Sequence, residues 1–146
     1  MGVEVTAEGP SEQELRSILG GARTIAVVGL SSNPERDSHS VAEYLQRKGY
    51  RIVPVNPNET EVLRERAYPT LRDITPEIRV DIVDVFRRPE YTPDVARDAV
   101  ATGAKLLWLQ LGIANEEAAR IASEGGVAVV MDLCIRTFHR QLEEAS

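Results

Sequence analysis

Apolar residues fall along this chain in two alternating patterns. Short unbroken apolar runs, bounded by turn residues, alternate with stretches where apolar residues recur every three or four positions. The runs cover residues 24–29, 51–55, 80–86, 105–109 and 127–131, the third interrupted by Asp81 and Asp84. Unbroken runs of this length read as strands buried on both faces, as in parallel sheets.

The stretches between them read as helices. Ser11 stands three before Glu14, a capping-box spacing, ahead of Leu15, Ile18 and Leu19, and Gly20-Gly21 ends that helix. Val41, Tyr44 and Leu45 mark the inner face of a second helix ending near Gly49. Thr92-Pro93 offers an N-cap and first-turn pair for a third, which carries Val95, Ala96, Ala99 and Val100 and stops at Gly103. Asn115 caps a fourth, with Glu116 and Glu117 in a first turn that suits carboxylates, and Gly125-Gly126 ends it. Ile135, Phe138 and Leu142 mark a closing helix.

Residues 57–79 break the rhythm. Tyr68-Pro69, Thr75-Pro76 and weak periodicity predict an irregular connection with one short helix near 71–74, and residues 1–10 read as a loose tail. The segment 24–55 has the length and order of one βαβ unit. The whole pattern predicts an α/β fold: a doubly wound, five-stranded parallel sheet, Rossmann-like, in three α/β/α layers. It predicts one domain over residues 1–146, with no internal boundary, low-complexity tract or fixed-period repeat.

In such sheets ligands bind beyond the carboxyl ends of the strands, where the strand order reverses. The first loop is Gly29-Leu30-Ser31-Ser32-Asn33-Pro34-Glu35-Arg36-Asp37-Ser38-His39-Ser40. It runs into a helix N-terminus, a natural anion site. Its hydroxyls and the Asn33 amide supply hydrogen bonds, and Arg36 supplies charge, so a phosphate or pyrophosphate fits. The plainer reading is a capped loop with Ser38 or Ser40 as N-cap.

This loop is not the dinucleotide fingerprint G-x-G-x-x-G: Ser31 and Pro34 stand at the second and third glycine positions. Asn56-Pro57 follows the second strand, where an NAD site wants an acid for the ribose. The third strand ends in Phe86-Arg87-Arg88-Pro89. Paired guanidiniums suit phosphate oxygens, and Phe86 can pack on an adenine or a pantetheine arm; the alternative is a solvated pair beside a core phenylalanine. Gln110 and Gly112 close the fourth strand, the glycine permitting close backbone approach. Asp132 reads as a cap for the last helix. Cys134 reads as a small buried residue, although a helix N-terminus can lower a thiol's pKa.

Composition narrows the function classes. The chain has 146 residues, 42% hydrophobic and 27% charged, with net charge -6. That balance argues against non-specific nucleic-acid binding, which needs a broad basic face. The single cysteine allows no internal disulfide and suits a reducing, cytoplasmic setting. No apolar run reaches the ~18 residues of a membrane span. Residues 1–6 match the loose N-myristoylation pattern, read as chance because nothing basic follows. His39 and His139, with one cysteine, make no recognisable metal set; His39 reads as a hydrogen-bonding or packing residue and His139 as structural. Neither a nucleophile elbow nor a phosphate loop ending in Gly-Lys-Ser/Thr occurs.

Taken together, Ile25-Ala-Val-Val-Gly-Leu-Ser31, Tyr50-Arg-Ile-Val-Pro-Val-Asn-Pro57, Val83-Asp-Val-Phe-Arg87, Leu107-Trp-Leu-Gln-Leu-Gly112 and Val129-Val-Met-Asp-Leu-Cys134 resemble the stand-alone CoA-binding protein family. That family is similar in turn to the N-terminal, CoA-binding domain of the succinyl-CoA synthetase α subunit. The resemblance covers roughly residues 15–142 and five strand ends in order. It implies coenzyme A lying over the loops after strands one to four. By position it implies contacts from Gly29, Leu30, Ser31, Ser32, Asn33, Arg36 and Ser38. Val55, Asn56 and Pro57, then Phe86 and Arg87, then Gln110 and Gly112 complete the implied set. In the synthetase, catalysis needs a further domain and a partner chain, for which residues 1–146 leave no room, so the resemblance implies a binding half alone.

The leading expectation is therefore non-catalytic binding of CoA or acyl-CoA by a carrier, sensor or regulatory module, with no nucleic-acid or membrane partner. Two copies can pair through a sheet edge or helix face. The alternatives are a nicotinamide-dinucleotide oxidoreductase and a CoA-binding subunit of an acyl-CoA synthetase completed by another chain. A third is a redox protein forming a mixed disulfide between Cys134 and the CoA thiol.

Overall fold

The computed structural model describes residues 9–145. The expected tail lies outside the described residues up to residue 8, as does the myristoylation-like stretch. In chain order the elements are α1 (Glu12–Gly21), β1 (Thr24–Val28), α2 (Asp37–Arg47), β2 (Arg51–Val55), β3 (Glu61–Val62), β4 (Glu65–Arg66), β5 (Ile82–Val85), α3 (Thr92–Thr102), β6 (Leu106–Leu109), α4 (Glu116–Glu124), β7 (Ala128–Val130) and α5 (Ile135–Glu144). Short 3₁₀ turns lie at Leu71–Asp73 and Pro89–Tyr91. No helix among the described residues is long and apolar enough to cross a membrane.

Five strands form one parallel sheet in the order β2-β1-β5-β6-β7. The Rossmann-like three-layer fold expected from the apolar runs is present. Alternate strand residues feed two cores. Ala26, Val28, Val53, Val55, Val83, Val85, Leu107 and Leu109 pack with α3 and α4. Ile25, Val27, Ile52, Ile82, Leu106 and Trp108 pack with α1, α2 and α5. Helices on both faces are why these strands read as unbroken rather than alternating runs. Chain order reverses at β1, which has β2 on one side and β5 on the other. Val28 is in register with both Val55 and Val85, so all three strands end level at this switch point.

Local signals act as the sequence predicts at several helix ends. Ser11 and Glu14 form the reciprocal capping box at 2.8 and 3.1 Å. Asn115 Oδ1 accepts from the Ala118 amide at 2.8 Å, and Gly103 closes α3 with φ +77°. Two expectations need correction. Thr92 is not the N-cap of α3: Tyr91 is, because the 3₁₀ turn Pro89–Tyr91 runs directly into the helix. The buried Thr92 hydroxyl instead donates to the Pro89 carbonyl at 2.7 Å.

The irregular stretch after β2 also holds more structure than expected. Besides the turn at Leu71–Asp73 it contains the β3–β4 hairpin, whose two turn residues, Leu63 and Arg64, have φ +55° and +64°. Such turns favour glycine and asparagine. Here Gln46 Nε2 donates to the Leu63 carbonyl at 3.1 Å and the Leu63 side chain packs on the core, so tertiary contacts hold the turn. Tyr68 then lies along β2, exchanging hydrogen bonds with Pro54 and Asn56 at 3.0 and 2.9 Å, and protects that sheet edge.

Close packing of α3 on α4 yields a test. A Cβ on Gly125 would lie 2.5 Å from Val100 Cγ2 and 2.6 Å from Cγ1. Gly125→Ala is expected to destabilise by about 1–3 kcal/mol through overpacking, and by clearly less in a Val100→Ala background. Urea unfolding of the four proteins of this cycle reads the coupling; equal losses in both backgrounds contradict the packing account.

Candidate functional site

The β1 terminus shapes the site. Gly29 has φ +87°, and a Cβ there would lie 2.5 Å from the Phe86 carbonyl oxygen. Only glycine lets the chain leave β1 this close to the end of β5. The Gly29 amide donates to Val55 O and the Phe86 amide to Val28 O, both at 2.8 Å. The three strand ends are thereby tied together, and the loops beyond them diverge.

Two clefts open over this junction. One, of about 450 Å³, lies between the strand ends and α3 and has apolar walls from Val28, Val55, Pro57, Leu71, Phe86 and Val95. The other, of about 620 Å³, lies toward α2 and is lined by Ser31, Arg36, Ser38, Arg87, Arg88 and Ile113. Gly29, Asn56, Asn58, Phe86 and Arg87 border both, so the two form one continuous crevice.

Its polar groups are held by a dense local network. Asn56 Nδ2 donates to the Leu30 carbonyl at 3.0 Å, and its Oδ1 accepts from the Asn58 amide at 2.9 Å. Ser38 Oγ accepts from the Ser31 amide, and Ser31 Oγ from the Asn33 amide, at 3.1 and 3.0 Å. The expected capping role of Ser38 or Ser40 is not what these residues do. Arg36 is the N-cap of α2, and no side chain caps the helix. Ser38 is consumed in folding the loop back, and Ser40 Oγ donates to the Asp37 carbonyl. An uncapped helix start leaves first-turn amides free to meet an anion.

Arg36, Arg87 and Arg88 take part in no ion pair among the described residues. The Arg87 guanidinium lies 4.7 Å from the Tyr91 ring centroid, a cation–π contact that aims it across the crevice without neutralising it.

Nine of the expected residues border the crevice: Gly29, Ser31, Arg36, Ser38, Val55, Asn56, Pro57, Phe86 and Arg87. Leu30 is buried in the α2 and α5 core and contributes its carbonyl to Asn56. Ser32 and Asn33 sit exposed on the loop, the Ser32 amide donating to Glu59 at 3.0 Å. Gln110 and Gly112 line neither cleft. Gln110 is buried, its Oε1 accepting from the Ile135 amide at 3.1 Å, and the Gly112 amide donates to Asp132 at 2.6 Å. Asp132 is thus not the cap of α5, whose N-cap is Cys134; it bridges the β6 and β7 loops from a left-handed backbone at φ +58°. His139 is structural: its Nδ1 meets the Tyr44 hydroxyl at 2.8 Å, and burial lowers its pKa, with Glu143 opposing and Lys48 assisting. His39 Nδ1 is buried without a hydrogen-bond partner.

Asn58, Tyr91 and Leu71 join the crevice from segments with no ligand signal in the sequence. Asp84 is the larger surprise. It lies within an apolar strand, is wholly buried and has no well-formed hydrogen bond at either oxygen. Burial pushes its carboxyl well above the usual range, the nearby Cys134 sulfur adds to the rise, and the Val85 amide offsets it only in part. Its local sequence carries no signal of this, since Asp84 reads there simply as part of the strand over residues 80–86. No group of three or more His, Cys, Asp or Glu among the described residues can hold a metal ion.

Fold and crevice together define a Rossmann-like α/β protein with an anion-tolerant ligand cleft at the topological switch point. Residues 23–140 match the CoA binding domain family, and the chain belongs to it. It is 46% identical over 132 residues to the uncharacterized protein YneT of Bacillus subtilis (strain 168), covering 90% of this chain and 96% of that one. A hypothetical protein of solved structure from Pyrococcus horikoshii OT3 has a TM-score of 0.89 and 36% identity, covering 98% of this chain and 99% of that one. The chain is also 28% identical over 85 residues to an ADP-forming acetate–CoA ligase of Archaeoglobus fulgidus, covering 57% of this chain and 12% of the ligase.

The raised Asp84 carboxyl has a measurable sign. The folded chain keeps a proton that the unfolded chain releases above about pH 3.9, so this group's contribution to stability is present below that value. It is lost as pH rises toward the folded pKa, at about 1.4 kcal/mol per pH unit. Asp84→Asn is expected to remove that loss, so its stability advantage over the wild type in urea unfolding grows as pH rises. An advantage that stays constant with pH contradicts a protonated Asp84.

Proposed function

We propose that the crevice binds coenzyme A or an acyl-CoA. One observation carries the reading: an uncapped helix start and three arginines outside any ion pair among the described residues converge on one crevice, in a chain of the CoA binding domain family. The diphosphate sits against the first turn of α2, within reach of Arg36, Arg87 and Arg88. The adenine takes the apolar cleft between Val55, Pro57, Leu71 and Val95, with Phe86 and Asn56 at the boundary. Leu30, Ser32 and Asn33 shape the phosphate loop, and Gln110 and Gly112 support the crevice from behind through their bonds to α5 and Asp132.

The absence of an acid after β2 weighs against NAD. Asn56 spends its side chain holding the loops after β1 and β2 together, so no carboxylate is offered to a ribose diol there. We read the protein as a non-catalytic carrier, sensor or regulatory module in a reducing, cytoplasmic setting. The match to part of the acetate–CoA ligase favours a second reading, in which a separate chain adds catalysis to this CoA-binding unit.

The test is a thermal-unfolding titration with CoA, dephospho-CoA, NAD, NADP and ATP. CoA at 100 times its dissociation constant adds roughly 2.7 kcal/mol, about 5–10 °C for a domain of this size. A shift with NAD or NADP and none with CoA overturns the reading. Arg36→Ala and Arg87→Ala are each expected to weaken CoA by about 1.5–3 kcal/mol while leaving a phosphate-free pantetheine fragment nearly unaffected. Equal losses for both ligands in calorimetry contradict the phosphate assignment.

A further inference from the structure

The two clefts of the crevice differ in the cations they hold. Arg36 and Arg88 line the phosphate-side cleft alone. Arg87 borders both clefts and is the one basic residue among those that line the apolar cleft. Its side chain is half-buried, whereas Arg36 and Arg88 are exposed. The stem runs past Gly29, where a Cβ would lie 3.4 Å from Arg87 Cδ, and the guanidinium ends 4.7 Å from the centroid of the Tyr91 ring. Tyr91 lines the apolar cleft and not the phosphate-side one. The cation–π contact therefore holds this charge toward the apolar cleft.

The acids of that cleft leave the charge unmatched. Asp94 pairs with Arg97 at 2.7 Å and Asp98 with Arg72 at 2.6 Å, and Thr70 spends its hydroxyl on Asp73 at 2.8 Å. Arg87 itself pairs with no acid among the described residues. The Tyr91 ring beneath it stays 46% exposed, so the guanidinium stands at an open cleft mouth rather than in a packed wall.

Adenine and diphosphate alone make no use of this charge. Adenine is neutral, and the diphosphate meets Arg36 and Arg88 at the other cleft. The ribose between them crosses the boundary that Arg87 borders, so an anion carried on the ribose is what meets the guanidinium. In CoA that anion is the 3′-phosphate. A phosphomonoester carries a charge of roughly -1.5 to -2 at pH 7, and its oxygens match the guanidinium fork.

We propose, resting on the CoA reading above, that Arg87 is the specificity residue for a phosphomonoester on the adenosine ribose, with Tyr91 as the residue that positions it. The subsite selects CoA over dephospho-CoA and ADP, which bring the same adenine and diphosphate without the ribose phosphate. A ligand lacking that phosphate leaves Arg87 solvated on its ring and gains nothing there. CoA gains a charge-assisted bond from a group already oriented to make it. NADP carries its phosphomonoester at the neighbouring 2′ position, so the nicotinamide pair separates the two sources of this chemistry.

Calorimetry on the full chain tests this, with CoA against dephospho-CoA and NADP against NAD. Wild type is expected to bind CoA at least about ten-fold more tightly than dephospho-CoA, the lower end for a charge-assisted bond. Arg87→Met is expected to bring that ratio close to one, chiefly by weakening CoA. Arg88→Met weakens both ligands alike and keeps the ratio. Tyr91→Leu lowers the ratio several-fold, whereas Tyr91→Phe, which retains the ring, keeps it. Thermal unfolding checks that each variant folds. A wild-type ratio near one, a ratio that survives Arg87→Met, an equal fall in Arg88→Met or an unaltered ratio in Tyr91→Leu overturns the proposal. If CoA still binds in such a case, the CoA reading stands and the ribose-phosphate subsite alone falls. Absence of CoA binding overturns both, and an Arg87-dependent preference for NADP over NAD then assigns the crevice to a dinucleotide.

Discussion

The Phe86 carbonyl occupies the space that a side chain on Gly29 would need, and the ligand crevice depends on that close approach. It brings the end of β5 against the end of β1 at the point where the chain order reverses. Backbone hydrogen bonds from Gly29 to Val55 and from Phe86 to Val28 fix the third strand end to the same place. Beyond it, the first loop turns toward α2, and the loop after β5 turns toward α3. The space between them is the crevice. A side chain at residue 29 would push β1 and β5 apart and fill the position from which both clefts open.

Electrostatics within the crevice runs against that of the whole chain. Net charge is -6, yet three of the four acids that line the crevice are engaged, all but Asp37 in the first turn of α2. Glu59 accepts from the Ser32 amide, Asp94 pairs with Arg97, and Asp98 pairs with Arg72. Among the described residues Arg36, Arg87 and Arg88 pair with no acid, beside a helix start with no side-chain cap. An anion that fits between them meets guanidinium donors and backbone amides at once. The general acidity keeps off polyanions such as nucleic acid, which need a broad basic face, without penalising a small phosphorylated ligand.

Much of this was legible in the sequence, for a physical reason. Strands such as Ile82–Val85 and Leu106–Leu109 are buried on both faces, so their apolar runs survive almost unbroken, and Ser11, Asn115 and Gly103 mark helix ends by local chemistry alone. The loops after β1, β2 and β5 follow from the fold, and with them Gly29, Arg36, Asn56 and Arg87. What escaped depends on contacts distant in sequence. The hairpin turn at Leu63-Arg64 carries no turn residue and is held by Gln46 and the core. Ser38 bonds the Ser31 amide rather than capping its own helix, and Asp132 bonds Gly112 from a strained backbone. Gln110 ends a strand as expected, yet its amide group turns toward α5 instead of the crevice. Asp84 escaped because nothing local distinguishes a buried, proton-holding aspartate from an exposed one.

The account stands on the location of the ligand, and amide chemical-shift mapping by NMR reads that directly. Adding CoA to isotopically labelled protein is predicted to move amides of residues 29–38, 56–58 and 86–88 most, with the first turn of α2 among the largest changes. Principal changes at the groove between α1 and α4, around Glu14, Arg120 and Met131, would contradict it and put the ligand at the β7 edge of the sheet.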